Sequence, residues 1–149
     1  VARDQSKFVL VVGCGRLGSY LASTLSRDGH SVVVIDSREQ AFEELSAEFS
    51  GFKIEGDATE FEILRAAKVE KADIVIAATD RDNVNLMIAQ IAKKVFGVDK
   101  VVARIFEMKR DAVCQELGVE VVCPTTILGD IIIGSVRQAA GGRPGEVRK

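Results

Sequence analysis

The feature that most constrains this 149-residue chain is a β-branched run, Phe8–Val12, that passes directly into Gly13-Cys14-Gly15-Arg16-Leu17-Gly18 and then into an amphipathic segment. A Gly-x-Gly-x-x-Gly pattern is a weak signal alone, but between a strand and a helix it specifies a phosphate-binding turn. Gly13 permits the tight turn, Gly15 lets the backbone approach a pyrophosphate with no Cβ in the way, and Gly18 allows close packing of helix on strand. The unpaired amides at the helix start then face the phosphates, helped by the positive end of the helix dipole. The alternative is a glycine-rich turn that serves packing alone.

The rest of the chain repeats the same alternation. Short apolar runs at Phe8–Val12, Ser31–Ile35, Phe52–Glu55, Ile74–Ala78, Val101–Ile105 and Glu120–Cys123 read as strands, each followed by a segment of helical length. That order predicts an α/β fold: a Rossmann-type doubly wound parallel sheet of about six strands in three αβα layers. The helices are expected at Arg16–Asp28, with Leu17, Tyr20, Leu21, Thr24 and Leu25 on one face; at Arg38–Phe49, with Phe42, Leu45 and Phe49 buried; and at Glu60–Ala67, capped by Thr59 with Glu62 at the capping-box position. A fourth is expected after a cap at Asp80 or Asp82 and stops at Gly97, and a fifth spans Asp111–Leu117. Thr125 to Val136 suits a helix weakened by Gly129 and Gly134. Residues 1–140 read as one nucleotide-binding domain and 141–149 as a flexible tail or cut linker.

Composition narrows the function. Twenty Lys+Arg against 22 Asp+Glu is no basic excess, which argues against nucleic acid as a partner. Cys14, Cys114 and Cys123 are scattered, with no paired spacing and a single histidine, so they read as thiols of a reducing compartment rather than a zinc set. No apolar run approaches the roughly 20 residues of a membrane span, and no signal peptide opens the chain. His30 reads as a solvated loop residue, and no nucleophile–base constellation is present.

Asp36 ends the second strand, 18 residues after Gly18, where a carboxylate accepts hydrogen bonds from adenosine ribose hydroxyls and repels a 2′-phosphate. This favours NAD(H), ATP, ADP or AMP over NADP(H), with Arg38 partly offsetting the charge; Asp36 can equally cap the next helix. Ser37 and Arg38 join the candidate cofactor-binding set as its neighbours, and Leu17 as part of the loop. Arg16 either folds over the phosphates or is a solvated first-turn arginine. Asp57, Thr79 and Asp80 fall at strand carboxyl ends, the ligand edge of an open sheet, though capping and turn roles suit them as well. Cys14, in the loop, is either a thiol of lowered pKa at a helix start or a small side chain packed under the nucleotide.

These residues resemble a family. Val11 to Gly18, Val34-Ile35-Asp36, Gly56-Asp57-Ala58-Thr59, Ala72-Asp73, Ala77-Ala78-Thr79-Asp80 with Asn83 and Asn85, Ala103-Arg104, Leu117-Gly118 and Val122-Cys123-Pro124 are similar to the TrkA-N, or RCK N-lobe, unit of the Trk/Ktr potassium-uptake regulators. The resemblance covers about residues 7 to 136, and its Gly-Asp-Ala-Thr element is more diagnostic than the glycine loop. It implies a non-catalytic cytoplasmic regulatory subunit, held at the inner face of the membrane by a potassium transporter or channel and responding to bound NADH, NAD, ATP or ADP. By the same resemblance Gly13, Gly15, Arg16 and Gly18 hold phosphates and Asp36 the ribose. Asp57 and Ala58 flank the adenine, and Thr79, Asp80 and Arg104 lie near the distal phosphate or nicotinamide. Members form homodimers through this lobe, and often larger rings. They also carry a further C-terminal lobe, for which a chain ending at Lys149 has no room, so that lobe is expected to be absent, truncated or separate. The competing reading is the cofactor-binding half of an NAD-dependent dehydrogenase, which lacks a substrate domain and a proton donor here.

Overall fold

The computed structural model describes residues 5–107 and 111–141. Six strands form one parallel sheet: β1 (Phe8–Val12), β2 (Ser31–Asp36), β3 (Phe52–Glu55), β4 (Ile74–Ala77), β5 (Lys100–Arg104) and β6 (Glu120–Val122), in the order β3-β2-β1-β4-β5-β6. Every expected strand is present to within a residue at either end. Among the described residues there are five α-helices: α1 (Arg16–Arg27), α2 (Phe61–Ala66), α3 (Asp82–Gln90), α4 (Asp111–Glu116) and α5 (Pro124–Ala139). Because side chains alternate across a strand, Val9, Val11, Val32 and Val34 face α1, while Leu10, Val12, Ile35 and Val75 face the α2–α3 side. Leu10 and Ile35 are fully buried, and each such side chain contributes roughly 1.5–3 kcal/mol.

Several local expectations are overturned. The helix expected over Arg38–Phe49 is a 3₁₀ segment, Glu39–Glu44, ended by an extended Leu45. Two hydroxyls of α1 explain this: Ser23 Oγ accepts from the Ser46 amide at 3.0 Å and Ser26 Oγ from the Ser50 amide at 3.2 Å, giving the backbone partners outside a helix. Phe42, Leu45 and Phe49 still pack on the α1-side core. On α1 itself the buried stripe is Gly18, Ser19 and Ala22, and Tyr20 is 67% exposed. Small side chains face the sheet because the helix lies too close to it for large ones.

Thr59 does not cap α2. Its amide and hydroxyl both donate to Asp57 Oδ1, at 2.9 and 2.6 Å, and Glu60 precedes the helix without a side-chain cap. Neither Asp80 nor Asp82 caps α3, whose entry residue is Arg81. Past Gln90 the helix widens into a π turn, Ile91–Val95, before Gly97. His30 is no free loop residue, since its Nδ1 accepts the Lys7 amide at 3.0 Å. The expected tail lies outside the described residues beyond Gly141.

Helix α5 stands apart. It begins with Pro124 at its first turn and carries no buried residue, leaving Ile127, Leu128, Ile131, Ile132, Ile133 and Val136 exposed. Among the described residues no helix is long and apolar enough to cross a membrane.

Candidate functional site

The register sets the site. Val12 pairs with Ile35 on one side and with Ala77 on the other, so the chain leaves β1 level with Asp36 and Ala78. The connections from β1 and β4 depart to opposite sides of the sheet, and the crevice at such a switch point is where open α/β sheets take ligands. A cleft of about 560 Å³ lies there, within the size range of small-molecule sites.

Gly13 turns the chain with φ of +99° and donates to the Ile35 carbonyl at 2.8 Å. A Cβ on it would stand 2.9 Å from the Ala78 carbonyl carbon, and one on Gly18 would overlap the Gly13 carbonyl. Both glycines are therefore required by the packing of loop against sheet and helix. Gly15 differs, since a Cβ there would meet nothing within 4 Å. Its bareness keeps open the space at the start of α1, where no side chain caps the first amides and no carboxylate occupies the first turn.

Asp36 ties the loop to β2. Its Oδ2 accepts the Cys14 amide at 2.8 Å and its Oδ1 the Arg38 amide at 2.9 Å. The Arg38 guanidinium, 75% exposed, lies 3.9 Å from Oδ1. Each carboxylate oxygen keeps acceptor capacity on the cleft side. The Cys14 side chain turns the other way, into the α1-side core with Val11, Ala22 and Val34. There burial first, and the Asp36 carboxylate second, push the thiol up to about 11. The expectation of a lowered pKa is thus overturned, and Cys14 is a small buried thiol packed beneath the loop.

Across the cleft a buried amide organises the ends of β4 and β5. Asn85, fully buried on α3, accepts at Oδ1 from the Thr79 amide (2.9 Å) and hydroxyl (2.6 Å), and donates from Nδ2 to the Thr79 carbonyl (3.0 Å) and the Arg104 carbonyl (2.8 Å). Arg104 Nη2 donates to the carbonyls of Ala78 (3.0 Å) and Thr79 (2.7 Å), and its guanidinium stacks 4.9 Å from the Phe106 ring centroid. Its Nε is buried without a partner. Burial lowers the Arg104 pKa, and the Asp80 and Asp82 carboxylates oppose that shift. Asp82 receives the Phe106 amide at 2.8 Å and the Glu107 amide at 2.9 Å, holding the segment after β5. On the third wall, the Thr59 hydroxyl and amide hold the Asp57 carboxyl below the usual carboxylate range.

Of the residues singled out from sequence, Gly13, Gly15, Arg16 and Leu17 line the cleft from the loop. Asp36, Ser37 and Arg38 line it from β2, and Asp57 and Ala58 from the turn after β3. Thr79, Asp80 and Arg104 complete the set from β4 and β5. Cys14 and Gly18 do not reach it; they support it from behind. Val84 and Ile88 were missed as lining, although their i, i+4 spacing on α3 was visible. Asn85 is singled out in the sequence only through the family resemblance, and its place between Val84 and Leu86, on the side of α3 shared with Ile88 and Ala89, is the signal for its buried structural role. Among the described residues, no three His, Cys, Asp or Glu side chains gather as a metal site.

Comparison with known proteins agrees with this architecture. Residues 9–124 match the model of the TrkA-N domain. The chain is 39% identical over 114 residues to a Trk system potassium uptake protein TrkA of Streptomyces coelicolor, covering 76% of this chain but 51% of that one, so it spans about half the length of this curated relative. Among solved structures it superposes on the Kef CTD of Shewanella denitrificans in AMP-bound form with a TM-score of 0.76, at 22% identity, covering 92% of this chain and 84% of that one. On the GsuK channel bound to NAD the TM-score is 0.71 at 22% identity, covering 89% and 24%. At these identities the structural likeness is one of fold.

Proposed function

The chain belongs to the TrkA-N domain family, and from that premise we propose that it is a nucleotide-sensing regulatory unit of a potassium transporter or channel. The observation that carries the proposal is the cleft at the glycine loop, which the uncapped start of α1 shares with Asp36, a carboxylate already oriented by two backbone N–H groups. That pairing suits an adenosine ribose joined to phosphates. In this reading Gly13, Gly15 and Arg16 form the phosphate cradle, with Gly18 holding α1 against it from behind, and Asp36, with Ser37 and Arg38, takes the ribose. Asp57 and Ala58 border the adenine, while Thr79, Asp80 and Arg104 face the distal end, where the unpartnered Arg104 Nε is a donor in reserve. NAD(H) is our first choice of ligand, with ATP, ADP and AMP competing for the same site; the two fold neighbours, one AMP-bound and one NAD-bound, are in keeping with this.

The unit, residues 1–140, transmits ligand state rather than transforming the ligand. We propose that it does so as a homodimer or larger ring built through α5, at the inner face of the membrane where its transporter holds it. The relative named a Trk system potassium uptake protein supports that partner. Identification of the nucleotide that co-purifies, followed by calorimetric titration with NADH, NAD, ATP and ADP, tests the proposal. Saturable binding of at least one is expected, and no binding by any of the four overturns it.

A further inference from the structure

A second cavity, of about 500 Å³, opens at the amino ends of β1, β2 and β3, the edge of the sheet opposite the cleft. It exists because α2 has only six residues, a length of about 9 Å, and cannot cover strands of up to six residues at about 3.3 Å each. Its floor is apolar: Phe8, Val33 and Ile54, which also pack on the core, and Ala67 at the end of α2. Phe52 stands beside it, 75% exposed on the same face of β3 as Ile54.

The mouth is cationic. Lys68 follows α2 with φ of 59° and ψ of 46°, and it alone among the described non-glycine residues has a positive φ. Helices usually end in glycine or asparagine at such a position. A lysine there carries a backbone cost that glycine would not, and it places an ammonium at the mouth of the cavity. His30 borders the same cavity; its Nδ1 accepts the Lys7 amide, which leaves Nε2 as the ring's donor atom. No carboxylate lines it, in a chain of net charge -2.

We propose that this cavity is a second ligand site, taking a small aryl carboxylate whose apolar body lies on the Phe8–Val33–Ile54 floor beside Phe52 and whose anion meets Lys68 and His30. Lys53 also borders the cavity, but it alternates with Phe52 and Ile54 and lies with Glu39 and Glu43 on the other face of β3, so one ammonium and one neutral donor remain, a match for a monoanion rather than a polyphosphate. The site is independent of the nucleotide cleft, and its fate does not hang on that proposal.

Amide NMR of the whole chain, titrated with 3-phenylpropanoate and separately with its uncharged amide, tests it. The acid is expected to shift residues 30–33, 51–54 and 66–68 saturably and to leave 13–18 unmoved. The amide should bind about tenfold more weakly or worse, as loss of a charge-assisted hydrogen bond requires. Lys68→Gly removes strain and charge together, so it should raise the thermal midpoint while weakening binding about tenfold, and Lys68→Arg should restore binding. The proposal is overturned by equal binding of acid and amide, by undiminished binding to Lys68→Gly, by shifts confined to the nucleotide cleft, or by no saturable shift at these amides.

Discussion

At the scale of single residues, Asp36 bears the most. A charge-assisted hydrogen bond to a ribose hydroxyl contributes roughly 1.5–3 kcal/mol, so Asp36→Ala is expected to weaken every nucleotide with a free adenosine ribose by that amount. Because Asp36 also holds the Cys14 and Arg38 amides, the cleaner test uses the unaltered protein. NADPH should bind much more weakly than NADH in calorimetry, and equal affinities would remove the ribose assignment. Arg16, on the loop, separates from the ribose in the same experiment: Arg16→Ala should cost more for ATP than for AMP. The thiols divide by environment. Thr126 Oγ1 donates to Cys123 Sγ at 3.5 Å and favours its thiolate, whereas burial keeps Cys14 protonated. Iodoacetamide should therefore label Cys123 well before Cys14, as read by peptide mass spectrometry. The raised Cys14 value also has a sign in stability: its contribution is complete below the ordinary thiol value of 9.0 and is lost as pH rises toward about 11.

Elements meet at two points where small changes propagate. Gly18 lets α1 rest on the Gly13 carbonyl, and a methyl group added there must push the helix off the loop, so Gly18→Ala should destabilise by about 1–3 kcal/mol in urea unfolding. Asn85 joins α3 to the ends of β4 and β5 through four hydrogen bonds. Asn85→Ala strands the Thr79 amide and takes the Asn85 partner from the Arg104 carbonyl, while the Thr79 carbonyl keeps Arg104 Nη2; each lost partner costs about 1–3 kcal/mol if water cannot replace it. A loss of roughly 3 kcal/mol or more is expected, together with weaker nucleotide binding, because Thr79 and Arg104 lose their common anchor. A loss below about 1 kcal/mol would mean that water reaches the site.

For the whole molecule the decisive element is α5. A helix of 16 residues with six large apolar side chains exposed and none buried is not finished by its own domain. Light scattering should report self-association at tens of micromolar, and Ile131→Asp with Ile132→Asp should abolish it without lowering the thermal midpoint of the domain. A monomer in the presence and absence of NADH would defeat the claim. Ligand control of the assembly needs only a difference in affinity between two arrangements, with about tenfold corresponding to 1.4 kcal/mol.

What could be read from the sequence were the features set by local pattern. The strands β1 to β6 are short β-branched runs, the glycine loop has a fixed spacing, and Asp36 follows at the distance a βαβ unit dictates. Those rules depend on the chain within about 30 residues, so they survive without knowledge of the neighbours. The tertiary structure decided the rest. Whether Phe42, Leu45 and Phe49 lay on an α-helix depended on Ser23 and Ser26 of α1 competing for the backbone of residues 46–50. Asp82, which looks like a helix cap, instead holds the segment after β5. Cys14 faces the core because the Gly13 turn directs it there. Each is a choice between alternative partners, and packing between elements distant in sequence, invisible to periodicity, brings one of them within hydrogen-bond reach.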